Sequence, residues 1–209
     1  MNYIFAHPAE IANSALLHIW MVGISMLLAI VIGIPLGILM TRHRKLRPAI
    51  LGSANIIQTI PSLALFGFLL PAPWLGERAY RIAVVTLALY ALLPIVRNTF
   101  QGITGVDPAV REAAEGMGLT RRQLLFQVEL PLSAGVIMAG VRTATVISVG
   151  VATIAAAIGA GGLGEFIFRG LAMVNNQLIL AGALPAAVLA LGSDLILGWI
   201  QGRLTPPHA

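Results

Sequence analysis

Cysteine is absent from the 209 residues, and lysine occurs once, at Lys45. The first absence removes disulfides and thiolate metal sites. The second removes a P-loop, because no glycine-rich stretch runs into Lys45, so the chain is expected to hydrolyse no ATP itself. Charge is scarce too. Asp, Glu, Lys and Arg make up 10% of the chain, against about 25% in a soluble domain. Aromatic residues are 6% and dispersed, so no aromatic cage for a quaternary ammonium is visible. The four histidines, His7, His18, His43 and His208, have no ligand spacing, and no metal or cofactor is expected on this chain. No Lys or Arg precedes Arg42, so no cleavable leader is expected. No Ser-His-Asp or paired-carboxylate arrangement stands out either.

What is present is apolar. The chain is 58% hydrophobic with a mean hydropathy of +0.90, which makes it an all-α integral membrane protein of one domain. Five runs are long enough for a ~30 Å hydrocarbon core, over about 16–40, 49–70, 79–96, 132–158 and 177–199. Residues 1–15 form an outer amphipathic segment, 97–131 a polar loop, and 205–209 a tail. A net charge of +5 would suit nucleic acid, but the basic residues flank apolar runs, so no nucleic-acid partner is expected. Nine of the thirteen, Arg42, Arg44, Lys45, Arg47, Arg97, Arg111, Arg121, Arg122 and Arg203, fall on one side if the N-terminus is outside and the C-terminus cytoplasmic. Arg78, Arg81 and Arg169 are then outer, and Arg142 is intramembrane. A sixth, half-inserted segment over 159–176 is the alternative topology.

The organising stretch is Asp107–Pro131, the longest polar interval. Asp107 is a helix N-cap and Pro108 a first-turn proline. A short helix should end at Gly116 and Gly118. Thr120 and Gln123 have capping-box spacing for a second helix, which Pro131 should close before the next apolar run. Elsewhere, Gln58, Thr59, Pro61 and Ser62 interrupt the second run at membrane depth. Lipid does not tolerate unsatisfied backbone, so these residues line a pathway or a packed kink, and Phe66 follows them. Phe68, Phe166 and Phe168 are further aromatic candidates for pathway contact. Arg142 needs a partner inside the membrane. Asp194 is the only acidic residue at comparable depth, so the two are expected to pair, as a structural brace or as a substrate contact. His18 and Trp20 are expected to anchor the first span at the outer interface. Gly159, Gly161 and Gly164 satisfy G-x-G-x-x-G, but they follow a membrane helix rather than a strand, so no dinucleotide site is read there. With Gly162 they are outer-gate candidates.

Glu112-Ala113-Ala114, then Gly118, then Val128, Leu130 and Pro131 resemble the cytoplasmic "EAA" loop of ABC importer permeases; only Val128 departs mildly, where isoleucine is commoner. Beyond the loop, Gln58–Pro71, Ala91–Ile103, Val141–Leu171 and Leu191–Gly198 resemble the permeases for glycine betaine, carnitine and choline. The resemblance implies a type I importer (MetI-like) architecture in a bacterial inner membrane. It also implies two cytoplasmic ATPase subunits using ATP and Mg, a second permease subunit that is a copy or a related chain, and an external substrate-binding protein. Arg111, Glu112, Ala113, Ala114, Gly118, Leu130 and Pro131 would then serve ATPase coupling. The alternatives are an amino-acid permease, a gradient-driven transporter and a non-transporting scaffold. No acidic residue near mid-membrane supports the gradient-driven reading.

Overall fold

The computed structural model describes residues 2–71 and 79–205, and these form helices and connecting turns with no strand among them. Residues 72–78 of the outer loop expected over 71–78, and the tail beyond Thr205, lie outside the described residues. After α1 (Asn2–Ala6), α2 runs unbroken from Pro8 to Arg42, 35 residues. Residues 8–15 of the expected outer segment are thus helical and continuous with the apolar run that starts at residue 16. At 1.5 Å per residue α2 is about 50 Å long, well beyond a bilayer core.

A short turn leads into α3 (Arg47–Thr59), which breaks before α4 (Ser62–Leu69). The second apolar run is therefore a pair of helices bent by 99°, not one straight span. Pro61 is the cause. It biases the preceding residue away from helix, and Ile60 is extended at φ −73°, ψ 127°.

α5 (Ala79–Thr104) continues ten residues beyond Pro94, so the helix of the third span runs on past residue 96. A helical proline leaves the carbonyl four residues earlier unpaired. Here that carbonyl belongs to Tyr90, and the Gln58 side chain donates to it at 2.9 Å.

Beyond α6 (Pro108–Gly116), α7 (Arg121–Gln123) widens into a π-helical segment over Leu124–Glu129 and becomes α8 (Leu130–Ile154). Together with the terminal turn to Ile158 they make one 38-residue helix. Pro131 was expected to close a helix, yet it sits in the first turn of α8. The wider turn absorbs it: the Leu130 N–H reaches back five residues to the Leu125 carbonyl. α9 (Gly164–Ala172) follows, then α10 (Asn176–Leu204). α9 rises only about 14 Å, so residues 159–176 hold no sixth full span.

α2, α5 and α8 pack side by side around the main core, with Met21, Ala29, Phe66, Leu87, Ile95 and Ala144 buried. Small residues set the approach. A Cβ on Gly37 would stand 2.5 Å from Thr99 Cβ, and one on Gly140 2.6 Å from Asn98 Cβ. α9 and α10 form a second cluster through Leu163, Phe166, Leu178 and Ala181. Among the described residues, four helices, or five counting the bent pair, are long and apolar enough to cross a membrane.

Candidate functional site

The polar interval between α5 and α8 folds as a short standing helix with both ends tied. Asp107 caps α6, its carboxylate accepting from Ala109 N–H at 2.8 Å. The helix ends past Gly116, and Gly118 turns the chain at φ +83°, so that Leu119 N–H returns to the Ala114 carbonyl at 3.2 Å. Thr120 and Gln123 form a reciprocal capping box for the next helix. Glu112, Ala113 and Glu115 are exposed, while Ala114 faces inward. Apolar side chains also point outward here: Val110 is 41% exposed, Phe126 57% and Met117 74%. Leu130 and Pro131 lie within the long helix, with Leu130 half-buried and Pro131 exposed.

Beneath α6 lies a carboxylate that the sequence reading left unassigned. Glu129 is 2% exposed. Arg42, at the end of α2, donates to it at 2.5 Å, and Arg111 of α6 lies 3.5 Å away. Arg111 also donates to the Ile103 carbonyl near the end of α5. An acidic residue one place before Leu-Pro at the start of an apolar run was the available signal.

At the α3–α4 break, a cleft of about 320 Å³ is lined by Gln58, Thr59, Ile60, Pro61, Ser62 and Tyr90, with Ile147 and Val151 of α8. The Tyr90 hydroxyl donates to the Ile60 carbonyl. Tyr90 was not singled out from the sequence; a hydroxyl needing a partner in an aliphatic run was its only mark. Four of the pathway candidates meet in this cleft. Phe66 does not: it is fully buried in the main core and packs helices together. Phe166 is also buried, whereas Phe68 is 79% exposed and Phe168 38%.

The glycine-rich turn after α8 packs against α2. Gly159, Gly161 and Gly162 all have φ near +80°, at 81°, 80° and 79°. A Cβ on Gly161 would lie 2.8 Å from Leu17 Cδ2, and one on Gly164 would collide with the Thr153 carbonyl oxygen. His18 sits at this contact. It is fully buried with Nε2 3.1 Å from the Val149 carbonyl oxygen, so it joins α2 to α8 and is not an interfacial anchor. Trp20 remains exposed at 58%. Arg142 on α8 meets Asp194 on α10 through two contacts of 2.5 and 2.6 Å, with Gln201 3.5 Å away.

Residues 16–206 match the family model described as binding-protein-dependent transport system inner membrane component. The chain belongs to this family. It is a permease component of an ABC transporter and crosses the membrane several times. Among its relatives is the glycine betaine/carnitine/choline transport system permease protein OpuCD of Bacillus subtilis, 45% identical over 90% of this chain and 82% of that protein. The osmoprotectant import permease protein OsmW of Salmonella typhimurium is 41% identical over 99% and 97%. In fold, this permease matches a chain of the inward-facing MetNI methionine ABC transporter with a TM-score of 0.84, at 20% identity, covering 96% of this chain and 99% of that one.

Proposed function

We propose that this chain is the membrane subunit of an ATP-driven importer for a small osmoprotectant such as glycine betaine, carnitine or choline. The observation that carries the coupling role is α6, a capped helix that exposes Glu112, Ala113 and Glu115, with Val110, Met117 at its end and Phe126 of the next helix as outward apolar side chains. Apolar side chains at the polar end of a membrane bundle suit a protein partner better than water. That partner is a pair of cytoplasmic ATPases that bind ATP and Mg, while this chain binds neither. Arg111, Glu112, Ala113, Ala114, Gly118, Leu130 and Pro131 are the coupling set.

The cleft at Gln58, Thr59, Pro61 and Ser62 is the pathway wall. It is open on one side, so a second permease subunit, a copy or a related chain, completes the conduit. The glycine turn at Gly159, Gly161, Gly162 and Gly164 is the gate on the side where an external binding protein delivers solute. The N-terminus is outside and the C-terminus cytoplasmic, in a bacterial inner membrane. Solute moves as ATP binding biases two arrangements of the spans.

The test is uptake of labelled glycine betaine into vesicles holding the purified complex, with and without ATP. ATP-dependent uptake competed by carnitine or choline supports the reading. Competition by methionine instead moves the substrate to amino acids. Uptake that survives ATP removal under an ion gradient overturns it.

A further inference from the structure

We infer that Glu129 is the positioning residue that ties the motion of α6 to the spans. The inference rests on the coupling role proposed for α6. α6 has one buried residue, Ala114, among its nine. Apolar packing therefore holds it weakly, and a push on its outer face needs another route into the bundle. The route is ionic. Arg111 reaches inward from α6 to Glu129 at 3.5 Å and donates to the Ile103 carbonyl on α5. Glu129 in turn accepts from Arg42 at the end of α2, at 2.5 Å. One carboxylate, 2% exposed, thus joins the docking helix to the first and fourth spans, and Arg111 adds the third.

Glu129 is also the last residue of the π-helical segment. A π-turn is a local departure from the α-helical ladder and recurs at functional positions. Its placement under α6 puts a non-α turn of the fourth span at the point where load enters it. The two arginines depend on the carboxylate: with its charge removed, two guanidinium groups face each other without a counter-ion. α6 and α2 would then separate, and movement of α6 would no longer reorient the spans. A merely static brace makes a different prediction, namely less assembled complex with the same solute carried per ATP.

The experiment uses the complete complex in liposomes, with binding protein and labelled glycine betaine, and reads ATP hydrolysed and solute imported per assembled complex. Glu129→Gln keeps the shape and removes the charge. It is expected to hydrolyse ATP at a rate within about twofold of the parent, while solute per ATP falls about fivefold or more. Arg42→Gln, on α2 and outside the proposed coupling set, should lower the same ratio by less, since Arg111 remains. Glu129→Asp should retain most of it. An unchanged ratio in Glu129→Gln and Arg42→Gln overturns the inference, whatever their abundance. If Glu129→Gln fails to assemble, the ratio in Arg42→Gln decides. If the parent complex itself imports nothing with ATP, the coupling reading fails and this inference falls with it.

Discussion

Arg142 on α8 holds both carboxylate oxygens of Asp194 on α10, Nε to Oδ1 at 2.5 Å and Nη2 to Oδ2 at 2.6 Å. This is the two-pronged pairing that favours arginine over lysine. The guanidinium lies against Gly198, where a Cβ would stand 3.1 Å from Cζ. Each charge is tolerated among apolar helices because the other is present. Arg142→Gln and Asp194→Asn, made singly, should each lower membrane abundance and uptake. The double variant should recover part of both, because neither charge is then stranded. Quantitative immunoblots and uptake assays read this. Silent single variants would place the pair in water and favour a role toward solute.

Tyr90 and Gln58 hold the broken span. The Tyr90 hydroxyl takes the Ile60 carbonyl, and the Gln58 amide takes the carbonyl that Pro94 leaves free. Tyr90→Phe should cost about 1 kcal/mol, the usual net worth of such a bond. It should also loosen the 320 Å³ cleft and reduce uptake more than stability. Thermal unfolding in detergent, set beside uptake, separates the two effects. Equal losses in both would make Tyr90 a packing residue.

The sequence exposed whatever depended on local chemistry. The cap at Asp107, the turn at Gly118 and the Thr120–Gln123 box each arise from neighbours within a few residues, and all form. The Arg142–Asp194 contact was also legible, because a charge within a membrane helix demands its opposite. What escaped were contacts set by how helices cross. His18 looked interfacial by its place near the end of an apolar run, yet the approach of α2 to α8 buries it on Val149. Phe66 looked like a pathway ring by sequence proximity, but its helical phase turns it into the core. Glu129 was hidden because its partners lie 87 and 18 positions away in the chain. The helix end was misjudged at Pro131 because a π-turn satisfied the backbone that proline disrupts.

The glycine turn separates two costs that composition cannot. Gly164 has no room for a Cβ, which would meet the Thr153 carbonyl oxygen, whereas a Cβ on Gly159 meets nothing within 4 Å. Gly164→Ala should therefore destabilise by about 1–3 kcal/mol through backbone displacement. Gly159→Asn should be nearly neutral, since asparagine tolerates the left-handed region that φ +81° requires. Melting of the purified variants in detergent ranks them. The reverse order would mean that the turn can slide away from α8.

Gly118 distinguishes strain from docking in the same way. Its φ is +83°, and a Cβ there meets nothing within 4 Å. Any substitution therefore acts through backbone preference or through the surface it presents. Gly118→Val should suffer the left-handed strain, about 1–2 kcal/mol. Gly118→Asn should suffer little of it. Gly118→Asp resembles asparagine in backbone tolerance but adds a negative charge beside Glu115, on the face proposed to meet an ATPase. If that face docks, Gly118→Asp should lose ATPase co-purification and uptake while melting close to Gly118→Asn. If Gly118 serves the turn alone, the aspartate and asparagine variants should behave alike, and only valine should impair the complex. Co-purification from mild detergent, scored beside melting temperature for the three variants, reads both effects in one series.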